Sequence, residues 1–299
     1  MLHVQSPAAI RRRRKRLTAG DAAVAIFLTL AALTIFFPFY NAVVISFETS
    51  RAYALYPVSF VPMEWSLSNY GYLIRNGQVW VGYQNTLFIT IIGTAYGMAI
   101  SVMTAYAFSR PGFPGKKILF SLMMFTMLFS GGMVPTYLQL KNMGLVDKRF
   151  SIILLLGVST YNIIILKSGF EQTPVSLSEA AKIDGANELV IFFRIMLPLQ
   201  SALLATFTLF TAVAYWNEWF WSMLMINSSG KMTLQTVLRS IVSEASADAD
   251  IASGEAGLDV FSQGVKTAAV MMTMVPIMCF YPFLQKYFVK GVMVGSIKM

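Results

Sequence analysis

The chain has 299 residues, is 56% hydrophobic and only 12% charged, and combines a mean hydropathy of +0.62 with a formal net charge of +9. A soluble domain carries about 25% charged residues, so this composition excludes an ordinary water-soluble globule and indicates an integral membrane protein. The single cysteine, Cys279, excludes an intramolecular disulfide, and with His3 the only histidine a Cys/His metal set is excluded too.

The apolar runs have the length of about 20 residues that a membrane helix needs, not the roughly 10 of a barrel strand. They predict an all-α integral membrane fold with six transmembrane helices, over 21–46, 84–109, 118–139, 150–170, 201–226 and 264–286. The first follows a basic segment, Arg11 to Arg16, within a polar stretch 1–20. That start resembles a signal peptide, but the apolar run is too long for one and no small-residue cleavage site closes it, so an uncleaved anchor is expected. The membrane domain then spans 21–290 and a short tail 291–299.

Lysine and arginine fall mostly on one side of these runs. Arg110, Lys116, Lys117, Lys167, Lys182, Arg194, Lys286, Lys290 and Lys298 join the basic start on that side. Basic flanks resist translocation, which places both chain ends and the loop 171–200 in the cytoplasm. The basic excess is explained by orientation, and no nucleic-acid motif accompanies it. On the other side lie 47–83, 140–149 and 227–263. In the last, Leu234, Val237, Leu238, Ile241 and Val242 recur with helical spacing, and an acidic stretch with Glu244, Asp248, Asp250 and Glu255 follows, able to reach a partner or a pore. The alternative for this amphipathic helix is a place on the rim of the bundle.

Residues 179–198 read EAAKIDGANELVIFFRIMLP, a charged insert between two apolar runs. Ser176 and Glu179 form a capping-box pair, so a helix is expected from near Leu177, ending at Gly185. A second short helix is expected from Asn187 to Met196, with Leu197 pushed out of helical geometry by Pro198. Helices this short are marginal alone, so the insert is expected to dock on something. Glu179, Asp184 and Glu188 would offer acceptors to a basic rim.

Glu179, Ala180, Ala181, Asp184, Gly185, Ala186, Ile195, Leu197 and Pro198 resemble the EAA motif of binding-protein-dependent ABC importer permeases. Many relatives carry a second proline where this chain has Ala202. Gly131 to Tyr137 with Gly144 and Leu145, the run Trp216, Asn217 and Glu218, and Gln285 to Lys298 resemble the carbohydrate branch, its oligosaccharide subgroup, and within it importers of oligouronides such as alginate. The resemblance implies a type I importer transmembrane domain with a cytoplasmic coupling helix, in a bacterial inner membrane. It also implies a second permease subunit, two ATPase subunits holding ATP and magnesium, an external solute-binding protein and no cofactor on this chain. The nearest phosphate-loop string, Gly112 to Lys117, has the wrong spacing and lacks the hydroxyl.

Polar groups inside apolar spans are the candidates for a sugar path. These are Glu218, Asn217, Trp216, Tyr137, Gln139 and Asn162. The alternative is structural: Trp216, Trp219 and Trp221 sit where an interfacial aromatic belt is expected, and a carboxylate is an odd ligand for an anionic uronide. An ion-gradient-driven transporter or channel stands as the second reading. No nucleophile, metal cluster or paired carboxylates point to an enzyme.

Overall fold

The computed structural model describes residues 19–247 and 260–296, with side chains over 20–244 and 260–279. Asp248, Asp250, Glu255, the basic start and Lys298 lie outside the described residues. Among the described residues the chain is all-helical, apart from one isolated antiparallel bridge between Glu48 and Trp65.

Helix α1 (Ala19–Ser46) matches the first predicted run, and no part of its most apolar stretch is buried inside the chain. Two short helices follow, α2 (Ser50–Leu55) and α3 (Ser68–Arg75). Helix α4 (Gly77–Ser109) is an unbroken rod of 33 residues, about 50 Å long at 1.5 Å per residue. It is the axis of the bundle. Around it lie α7 (Arg149–Leu156), α8 (Thr160–Glu171), α12 (Ser201–Trp216) and α14 (Leu234–Ala247). Helix α15 (Ser262–Ser296) packs on α1, α12 and α14.

Among the described residues only α1 and α4 are each long and apolar enough to cross a membrane as single helices; three bent pairs reach that length only when their two halves are joined. The predicted run 118–139 is α5 (Lys116–Leu128) and α6 (Met133–Asn142), which meet at 118°. Gly132 makes that corner with φ 88° and ψ 175°, a conformation essentially reserved for glycine. At 13 residues, α5 reaches about 20 Å and cannot span a core of about 30 Å alone. The run 150–170 divides into α7 and α8 at 47°. There Gly157 abuts α4: a Cβ on Gly97 would lie 2.8 Å from the Gly157 carbonyl oxygen. Ser159 restarts the helix by accepting from Asn162 N–H at 3.3 Å. The run 201–226 stops at Trp216 and resumes as α13 (Phe220–Met225).

The amphipathic helix α14 is not a rim element. Leu234, Val237, Leu238 and Ile241 are buried with Leu73, Val79 and Trp216 in one apolar cluster. Thr86 Oγ1 of α4 accepts from Leu234 N–H at 2.8 Å, and Gly82 leaves room for that approach. A second cluster, including Val102, Leu166, Ile191 and Phe207, closes the opposite end of α4.

Candidate functional site

The insert forms a hairpin of short helices, α9 (Val175–Ile183), α10 (Glu188–Ile191) and α11 (Leu197–Leu199), with a five-residue π-turn over Phe192–Met196. Helix α9 starts two residues before the predicted position, behind Pro174, so Ser176 lies inside the helix and the Ser176–Glu179 box does not form. Its end is as expected. Gly185 has φ +81°, Gly185 N–H donates to Lys182 O at 3.0 Å and Ala186 N–H to Ala181 O at 2.9 Å. This pair of bonds is a Schellman turn, which satisfies two carbonyls that the helix end leaves open.

Asn187 caps α10 by accepting from Val190 N–H at 2.8 Å. Leu197 is helical, with φ −62° and ψ −47°, contrary to the expectation that Pro198 would expel it. The π-turn explains the difference. Leu197 N–H donates to Phe192 O, five residues back, and this local widening relieves the clash that proline makes with the turn before it. The bend into α12, 81°, falls instead at Gln200. Its amide donates to Gly169 O at 2.8 Å and to Thr173 Oγ1 at 3.1 Å.

The motif residues divide by face. Ala181, Ala186 and Leu197 are half-buried against the cluster of Ile191 and Phe192, and Ile195 is half-buried, whereas Glu179, Ala180, Asp184, Gly185 and Pro198 are exposed. Ile183 at the tip is 87% exposed, and Leu177 and Leu189 join it. Apolar side chains presented this way beside carboxylates suit a protein partner. Glu188 is also exposed, but its carboxylate is tied back to α9 and α4. Lys182 Nζ lies 2.7 Å from Glu188 Oε1, Tyr106 hydroxyl donates to Oε2 at 2.8 Å, and Arg110 Nη2 lies 3.3 Å from Oε2. The hydrogen bond from Lys182 holds the Glu188 carboxyl below its ordinary value; burial opposes this, and Tyr106 and Arg110 add to it.

The sugar-path candidates lie on three elements: α6, α8 and the end of α12. Trp216 is buried in the α14 cluster and its Nε1–H donates to Thr273 O at 3.2 Å. Glu218 Oε1 accepts from Trp221 N–H at 2.6 Å, which closes the start of α13. Asn217 is exposed at the end of α12 and accepts from Gln235 at 3.5 Å. Asn162 donates to Thr211 Oγ1 at 3.3 Å, tying α8 to α12. Tyr137, half-buried, and Gln139, exposed, lie on α6. Glu244 is exposed near the end of α14.

Residues 97–294, which include the hairpin, match the family described as binding-protein-dependent transport system inner membrane component. The chain belongs to that family. This family member is 39% identical over 273 residues, 91% of its length and 96% of the relative's, to the polygalacturonan/rhamnogalacturonan transport system permease protein of Bacillus subtilis. It is 27% identical, over 88% of its length and 91% of the relative's, to the arabinooligosaccharides transport system permease protein of Halalkalibacterium halodurans. Its fold is similar to a chain in the crystal structure of a bacterial ABC transporter involved in the import of the acidic polysaccharide alginate. The TM-score is 0.84 at 30% identity, covering 91% of this chain and 98% of that one.

Sequence reasoning about this inner membrane component missed two groups. Arg110 and Tyr106 were legible only as a topological charge and an apolar-run aromatic, because their partner Glu188 lies 82 residues from Tyr106. Asp147 was also missed. It accepts from Asn227 N–H, Ser228 N–H, Ser228 Oγ–H and Lys231, the last at 2.6 Å, and fastens the short loop at 140–149 to the segment at 227–231. Its left-handed φ of +57° shows only in the structure, and no sequence pattern announces it.

Proposed function

We propose that this chain is one of two permease subunits of an ATP-driven importer that carries acidic oligosaccharides of the oligouronide class across the bacterial inner membrane. In this reading the chain crosses the membrane six times, both ends and the hairpin lie in the cytoplasm, and two ATPase subunits hold ATP and magnesium. The exposed face of the hairpin, Leu177, Glu179, Ala180, Ile183 and Asp184, seats in an ATPase groove. An external binding protein delivers the sugar to the opposite end, where Glu244 stands and Asp248, Asp250 and Glu255 follow in sequence.

One observation carries the reading: similarity along nearly the whole chain, 91%, to a subunit of an importer of an acidic polysaccharide, at 30% identity and a TM-score of 0.84. The polygalacturonan/rhamnogalacturonan relative supports the same chemistry, since galacturonan is also a polymer of uronic acids. The exposed apolar tip of the hairpin supports a docked partner. Tyr137, Gln139 and Asn162 remain the candidates for sugar contact, whereas the bond from Trp221 N–H to Glu218 favours a structural role for that carboxylate.

The test is uptake into vesicles holding the chain with its genomic partners, supplied with binding protein and labelled oligouronide or a neutral oligosaccharide. ATP-dependent uptake of the oligouronide is expected. Uptake driven by an ion gradient without ATP would sink the importer reading, and uptake of the neutral sugar alone would sink the substrate class.

A further inference from the structure

Arg110 ends α4 and touches both arms of the hairpin. Its Nη1 donates to Ser178 Oγ of α9 at 3.4 Å, and its Nη2 pairs with Glu188 of α10 and donates to the Tyr106 hydroxyl. The guanidinium carbon stands 4.5 Å above the Tyr106 ring, one helical turn back on α4. Ser178 is 4% exposed, so this contact lies inside the joint rather than on its surface. Lys182 closes the set by bridging α9 to Glu188. Beneath it the Phe192 ring packs on Tyr106 with centroids 4.7 Å apart. Arg110 Nε is buried without a partner, an expense that an apolar side chain of similar size would avoid.

The other end of the same rod is fastened as tightly. Asn85 donates to Gly230 O and Met232 O, both at 3.0 Å, and accepts from Arg149 Nη1 at 3.1 Å. Thr86 accepts from Leu234 N–H. Asn85 and Thr86 are buried, at 3% and 0% exposed. Between Thr86 and Tyr106 the helix has no break and spans about 30 Å. Such a rod transmits displacement because packed helices move as rigid bodies between discrete arrangements.

We propose that Arg110 is a positioning residue that locks both arms of the hairpin to α4, so that displacement of the hairpin is delivered along α4 to the loops at 147–149 and 227–234. Without this lock only apolar contacts such as those of Ile191 and Phe192 would tie the hairpin to α4, and such non-directional contacts let short helices tilt, so that part of their movement would be lost locally. The inference rests on the reading that the hairpin engages an ATPase. Coupling between binding events is reciprocal, so a binding protein docking at the far end changes how tightly the hairpin is held by the ATPase through the same contacts, and the rate of ATP hydrolysis is the readout of that change.

The test uses the assembled importer, purified with its ATPase and given substrate-loaded binding protein; the readout is the ratio of stimulated to unstimulated ATP hydrolysis. Arg110→Ala is expected to lower that ratio about tenfold, the scale of a lost charge-assisted hydrogen-bond set. Arg110→Lys, which keeps charge but not the two-armed reach, is expected to restore part of it. Asn85→Ala is expected to lower the ratio as well, and the double variant should fall no further than the worse single one, because both break one series. A wild-type ratio in Arg110→Ala, or a double loss equal to the product of the single losses, would overturn the proposal. If Arg110→Ala does not assemble, Arg110→Gln and Tyr106→Phe carry the measurement, and full stimulation in both overturns it. Absence of any stimulation in the wild-type complex would instead defeat the importer reading itself.

Discussion

Replacing Gly185 separates a conformational role from a steric one. Its φ of +81° is in the left-handed region, and a Cβ placed there would meet nothing within 4 Å. Any effect of substitution therefore comes from the backbone. A side chain in that region costs about 1–2 kcal/mol, less for asparagine and more for a β-branched residue. At about 1.4 kcal/mol per factor of ten, alanine shifts the turn by roughly 5- to 30-fold away from the geometry that closes α9. The apolar contacts of Ile191 and Phe192 do not depend on this turn, so the helix bundle should persist. Stimulated ATP hydrolysis by the assembled importer should then be least reduced in Gly185→Asn, more in Gly185→Ala and most in Gly185→Val, the last by about 30-fold or more. Recovery of the chain from membranes should be unchanged. Full coupling in Gly185→Val, or equal losses in Gly185→Asn and Gly185→Val, would show that the left-handed turn is not what the hairpin needs.

Three further outcomes follow from the geometry. Gly93→Ala would place a methyl 2.5 Å from Cζ of Tyr215, which is wholly buried and donates to Ile153 O at 2.7 Å. A loss of about 1–3 kcal/mol is expected in thermal unfolding in detergent, while Gly131→Ala, with only Pro135 Cβ at 3.8 Å, serves as the neutral control. The Asp147 carboxyl is held well below the usual carboxylate range, first by the hydrogen bond from Lys231. Because its folded value is depressed, its stabilising effect is complete above the unfolded value of about 3.9 and is lost only as pH falls through the folded one. Unfolding temperature should therefore show no Asp147-dependent change between about pH 5 and 8, and Asp147→Asn should lower it by the same amount throughout that window. Glu218→Gln keeps an acceptor for Trp221 N–H and should transport oligouronide as the parent does, whereas Glu218→Ala should lose about 1 kcal/mol of stability. A changed substrate preference in Glu218→Gln would make that carboxylate a sugar contact.

Local rules read well where a residue's conformation is decided by its neighbours in sequence. Gly185 ending α9, Asn187 opening the next helix and the apolar stripe of α14 were all legible. They failed where an irregular turn or a distant group intervenes. Pro198 was expected to eject Leu197, but a π-turn absorbs the proline. Trp216 looked like a sugar platform, but α15 takes its indole N–H. Glu188 looked like a free acceptor, and Lys182, Tyr106 and Arg110 already engage both of its carboxylate oxygens. The glycine pair at 131–132 was a visible sign of the corner between α5 and α6, hidden because the run around it is apolar enough to pass as one helix.

Hydropathy and the motif at 179–198 determined the environment, the helical class and the family of this protein, because those properties follow from composition and from short-range spacing. Which apolar runs are single helices and which are broken, and which face of the hairpin is exposed, required the tertiary structure. The reason is physical. A lock between Arg110 and Glu188 exists only when segments far apart in sequence are packed together, and the 118° corner at Gly132 lies in a run apolar enough to pass as one helix, so neither leaves a period in the chain for a local rule to find.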